Sequence, residues 1–66
     1  MRLRLKELLE EKRVTQRELA EKTGITEQSI SRYVNNQRMP MVDKACLIAT
    51  TLNVSMDDLV EIEWGD

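Results

Sequence analysis

One local pattern occurs three times in this chain and fixes where its helices can begin. "VTQREL" (residues 14–19), "ITEQSI" (25–30) and "VSMDDL" (54–59) each place an apolar residue before a Thr or Ser and a second apolar residue five positions after the first. The hydroxyl can cap the free N–H groups of a helix's first turn, and the flanking apolar pair can close a hydrophobic staple across that cap. Glu18 follows Thr15 by three positions, which completes a capping box; Asp58 stands in the same relation to Ser55, and Ser29 to Thr26.

Breakers and periodicity give the other boundaries. Leu5, Leu8 and Leu9 recur at spacings of three and four and predict a first helix over about 3–12. The second helix runs over 16–23 and ends at Gly24, which can take the left-handed conformation. The third spans 27 to about 35, with Asn36 the next residue able to adopt a positive φ. The fourth follows Pro40 and reaches Leu52, with an inward stripe of Val42, Ala45, Ile48, Ala49 and Leu52 and with Asn53 beyond its end. Met41 has no capping side chain, so either Pro40 lies in the first turn or another group caps it. The fifth is short, from 56 to 60 or 62. With no Phe, one Pro, two Gly and no alternating β-branched run, strands are not expected. The prediction is an all-α, five-helix single domain over 1–66, with its core in about 3–60 and an acidic tail over 61–66.

A chain of 66 residues buries only about 60% of its unfolded surface, so the core must be small. Cys46, the only cysteine, reads as a small buried apolar group in a reducing compartment. One Cys and no His exclude an ordinary zinc site, and no cofactor is expected. Residues 1–12 hold no uninterrupted apolar segment, so a signal peptide or membrane span is not expected; a soluble cytoplasmic protein of bacterial or phage type is. The net charge of −2 is unevenly divided: residues 1–44 carry ten bases against seven acids, whereas residues 45–66 carry five acids and no base. A polyanion would meet the first part and avoid the tail. The bland reading, solvated helix faces, is adopted for Lys6, Glu7, Glu10, Glu11, Lys12, Glu21 and Lys22.

The second and third helices are separated by only Gly24, Ile25 and Thr26. Ala20 lets another helix approach closely, Gly24 turns the chain, and Leu19, Ile25, Ile30 and Tyr33 supply apolar contacts. These offsets are those of a helix-turn-helix. "LKELLEEKRVTQRELAEKTGITEQSISRYVNNQRMP" together with "LIATTLNVSMDDL" resembles the lambda repressor and Cro type of DNA-binding domain, the Cro/C1-type or XRE-like family, over about residues 3–60. That resemblance implies a five-helix domain that reads operator DNA as a two-fold dimer, with the third helix in the major groove.

On that helix Gln28 and Arg32 are four apart and share a face, while Ile30 and Tyr33 point inward. Gln can pair with adenine and Arg with guanine, each through two hydrogen bonds. Glu27 could accept from cytosine, but stabilising the helix N-terminus is the preferred reading. Ser31 stays open between base, phosphate and solvent. Phosphate contacts are expected from Gln16 at the second helix's N-terminus, where the family's matching Gln does this job, and from Arg17, Asn35, Asn36, Gln37 and Arg38. For Asn35, Asn36 and Gln37 the alternative is an ordinary turn. Few bases imply modest non-specific affinity and a shallow salt dependence.

The sequence departs from the family at a pair of positions where many relatives carry an internal Arg–Glu ion pair. Leu9 and Val34 stand there, and they are expected to pack on each other. Leu47 lies off the inward stripe, and Val60, Ile62 and Trp64 continue past the expected core. These four are the candidate two-fold interface, the alternative being that Trp64 folds back near Leu3 and Leu5. The expected function is a transcription regulator, a repressor occupying a palindromic operator as a homodimer, with no separate effector domain and no small-molecule effector. The alternative is an antitoxin-type interaction module using the acidic segment 57–66. An enzyme is not expected, for want of His, metal cluster, phosphate-binding Gly loop or activated nucleophile.

Overall fold

In the computed structural model, which describes residues 2–61, helices start at all three Thr or Ser caps. The order is β1 (Arg2–Leu3), α1 (Leu5–Lys12), α2 (Gln16–Thr23), α3 (Glu27–Val34), α4 (Val42–Leu52), α5 (Met56–Leu59) and β2 (Val60–Glu61). Thr15 forms the full capping box with Glu18, and the Thr26 and Ser55 hydroxyls accept from the backbone N–H of Ser29 (3.2 Å) and Asp58 (3.1 Å). In each staple the second residue (Leu19, Ile30, Leu59) has no exposed surface.

Three helices end alike. Arg13, Asn36 and Asn53 hold φ of 56°, 57° and 58°, just past α1, α3 and α4. After α1 the N–H of Arg13 donates to Glu10 O and that of Val14 to Leu9 O; Asn36 and Gln37 after α3, and Asn53 and Val54 after α4, repeat the pattern. This is the Schellman arrangement, which satisfies the last carbonyls of a helix. Val14 and Val54 therefore close one helix and staple the next, so two consecutive helices share one anchoring residue.

Leu3, Leu5, Leu8, Leu9, Leu19, Ile25, Ile30, Tyr33, Val34, Ala45, Ile48, Ala49, Leu52 and Leu59 form one buried cluster, to which every helix contributes. Leu9 and Val34 are both buried, at 5% and 6% exposure, where α1 meets α3. No helix among the described residues is long and apolar enough to cross a membrane.

Several expectations need correction. Strands are present: β1 and β2 form an antiparallel ribbon pairing Arg2 with Glu61 and Leu3 with Val60. Two-residue strands are too short to leave an alternation in the sequence. The first helix accordingly starts at Leu5, because the N–H of Arg4 is held by Leu59 O at 2.8 Å, and the fifth ends at Leu59, because Val60 is extended. Val42 is 75% exposed. It is the first residue of α4, and its Cβ tilts back past the end of the core. Cys46 is exposed: with Ala45, Ile48, Ala49 and Leu52 inward, a 3.6-residue period turns positions 46 and 47 to solvent. Pro40 precedes the helix, and Met41 is the N-terminal flanking residue with no side-chain cap. Ile62 and Trp64, and the expectation placed on them, lie outside the described residues.

Candidate nucleic-acid interface

The joint between α2 and α3 is set by backbone chemistry. Gly24 has φ of 76° and passes its N–H to Ala20 O at 2.9 Å. The Thr23 hydroxyl donates to Leu19 O at 2.7 Å and accepts from the Ile25 N–H at 3.2 Å, so the turn is held on both sides of the glycine. Ile25 is buried beneath the joint. A Cβ at position 24 would meet no atom within 4 Å, so glycine is required there for its φ alone. Gly24→Ala is therefore expected to cost about 1–2 kcal/mol, and Gly24→Asn less, in denaturant melts; an alanine variant as stable as the parent would show that the turn tolerates the strain.

α3 has two unlike sides. Ile30, Tyr33 and Val34 are buried, whereas Glu27, Gln28 and Arg32 are exposed and Ser31 is half-buried. Among the described residues, the side chains of Gln28 and Arg32 make no hydrogen bond and no ion pair, although their neighbours do. Their donors and acceptors stand one turn apart and face solvent. Glu27 sits in the first turn, where its charge suits the helix dipole.

The expected phosphate contacts divide. Gln16 and Asn35 line one open hollow of about 510 Å³ with Lys6, Leu9, Arg13 and Val34, so the start of α2 lies beside the end of α3. Asn35 also folds its amide back to Ser31 O at 3.0 Å. Arg17 pairs with Glu21 at 3.6 Å, but both are more than two-thirds exposed, so solvent screens the pair and leaves Arg17 available. Gln37 and Arg38 are exposed in the loop after α3. Asn36 is exposed too, and its side-chain amide is bonded to the backbone of Leu3.

Sequence reasoning missed Lys6 and Arg13, which line the same hollow as Gln16 and Asn35. Lys6 looked like an ordinary solvated residue of α1, and nothing in the linear sequence brings it beside α2. Arg13 stood between two helices with no breaker to mark its left-handed backbone. Glu10 lines the hollow too, so its field is mixed. No group of three or more potential metal ligands occurs among the described residues.

Known proteins resemble the chain in this arrangement. The helix-turn-helix family model matches residues 5–59. A candidate DNA-binding protein from Bacteroides fragilis has a solved structure with TM-score 0.83 and 40% identity, over 88% of this chain and 94% of that one. A transcriptional regulator from Listeria innocua matches in fold, with TM-score 0.70 at 19% identity, over 100% of this chain and 68% of its own. No curated protein matches significantly.

Proposed function

The chain belongs to the helix-turn-helix family of Cro/C1 type, and from that premise we propose that it is a DNA-binding transcription regulator, a repressor that occupies a palindromic operator as a homodimer. The observation that carries this reading is that Gln28 and Arg32 stand exposed on one side of α3, opposite its buried side, with no partner among the described residues. Placed in a major groove, they can read adenine and guanine, with Glu27 and Ser31 at the flanks. Gln16 and Arg17 on α2, and Asn35, Gln37 and Arg38 around the end of α3, fix the register through phosphates. Lys6 and Arg13 add positive charge beside Gln16.

The homodimer reading draws on α4. Leu47 is 42% exposed and Val42 75%, and no charged residue occurs from Ala45 to Leu52. A two-fold axis sets the same patch against itself, so an uncharged face meets an uncharged face without repulsion. Val60 is half-buried against the core and has less surface to offer. Sedimentation is expected to give a dimer at high micromolar concentration, shifted to monomer by Leu47→Glu. A strict monomer with and without DNA would remove the dimer and the palindrome together.

Selection of bound duplexes from a random pool tests the whole reading. The expected product is a two-fold motif with half-sites about 34–36 Å apart. No enrichment even at low salt would overturn it and favour an interaction module built on the acidic segment that begins at Asp57.

A further inference from the structure

The end of α3 is fastened to the start of the chain by one side chain. Leu3 N–H donates to Asn36 Oδ1 at 2.8 Å, and Asn36 Nδ2 donates to Leu3 O at 3.2 Å. The residues lie 33 positions apart. The geometry follows from the ribbon. Along a strand, successive backbone groups alternate between its two edges, and the N–H of Arg4 already faces β2's side, bonded to Leu59 O. Leu3 therefore turns its N–H and C=O to the opposite edge, where no third strand lies among the described residues. A primary amide presents an acceptor and a donor side by side, which matches the N–H and C=O that one residue turns to the same strand edge. The Asn36 amide bonds that edge as a neighbouring strand would.

We propose that Asn36 is a positioning residue for α3: its left-handed backbone ends the helix while its amide pins that end to the outer edge of β1. Three constraints meet at this residue. Its N–H closes on Tyr33 O at 3.1 Å, its φ of 57° directs the chain into the loop, and its side chain holds Leu3, whose own side chain is 1% exposed. Arg32 and Asn35 lie within four residues of this anchor, so the angle at which α3 leaves the core is set from its C-terminal end as well as by the α2 joint. Glycine, which satisfies the φ as well or better, has no amide; the choice of Asn here is accounted for by the bond to β1. As far as it concerns DNA, this inference rests on the reading of α3 as the recognition helix.

The test compares Asn36→Gly and Asn36→Asp with Ser55→Ala, which removes the cap of α5 far along the chain from α3. Glycine keeps the backbone and loses both side-chain bonds; aspartate keeps the acceptor and loses the donor. Amide exchange at Leu3 is expected to accelerate roughly tenfold in Asn36→Gly and less in Asn36→Asp, as for loss of one ordinary hydrogen bond. The amide resonances of Arg32 to Asn35 are expected to move in both. The affinity ratio between the selected duplex and a scrambled one is expected to fall about tenfold in Asn36→Gly, the scale of one weakened base contact, and to hold in Ser55→Ala. Unchanged Leu3 exchange would overturn the clamp. Faster exchange with an unchanged affinity ratio and unmoved α3 resonances would overturn the positioning role. If no duplex is ever enriched, the DNA reading fails by itself, and the exchange rates and α3 resonances still decide the clamp.

Discussion

Leu9→Arg is expected to destabilise the domain by about 3–5 kcal/mol, the cost of an uncompensated charge at a buried site. Leu9 is 5% exposed and meets the region of Val34, 6% exposed, between α1 and α3. A guanidinium there can extend through the open hollow, but Lys6 and Arg13 line it and repel the new charge, with Glu10 the only acid among its lining residues. For a domain of this size the melting temperature should fall by roughly 12 °C or more. Val34→Glu made in the Leu9→Arg background should restore part of the loss, with a coupling of about 1–3 kcal/mol in a double-mutant cycle. A thermal melt of Leu9→Arg superimposable on the parent would remove the proposed packing of α1 on α3 through these two side chains.

Gln28→Ala and Arg32→Ala are expected to leave stability nearly untouched and to degrade discrimination between duplexes. Both side chains are exposed and make no bond among the described residues, so each substitution should stay within about 0.5 kcal/mol in a melt. Each lost base pairing should cost about 1–3 kcal/mol on the selected duplex, that is, roughly 5- to 150-fold in affinity. The two differ in salt response. Arg32→Ala removes a cation and should flatten the slope of log affinity against log salt by up to about 0.9 if the guanidinium also neutralises a phosphate, whereas Gln28→Ala should leave that slope alone. Loss of affinity by the same factor on every duplex would reassign both residues from base readout to the backbone.

The starts of α2, α3 and α5 were legible because caps and staples are local: Thr15, Thr26 and Ser55 each act on residues three positions away. The inner and outer sides of α3 were legible for the same reason, since a 3.6-residue period needs no knowledge of the rest of the fold. What was missed depends on residues far apart in the chain. The ribbon of β1 and β2 joins positions near opposite ends, the amide of Asn36 meets Leu3, and Lys6 comes beside Gln16 through the packing of α1 on the α2–α3 unit. None of these leaves a periodic trace. Val42 and Cys46 were misplaced for a different reason: apolar character alone does not reveal which way a residue faces at a helix's first turn, or one step off its buried stripe.

The pairing of Arg2 with Glu61 also bears on how the domain assembles in time. These partners are 59 positions apart, so bringing them together carries a chain-closure entropy of roughly 3–4 kcal/mol if the intervening chain is still flexible. Among the helices the separations are shorter: α2 packs on α3 and α4 on α5, with α4 on α2 and α1 on α3 one helix further apart. The ladder is therefore expected to form last and to open first under mild denaturant, which faster amide exchange at Arg4 than in the middle of α4 would show. Because Leu3 belongs to that ladder and bonds Asn36, opening of the ribbon would free the end of α3 in the same step.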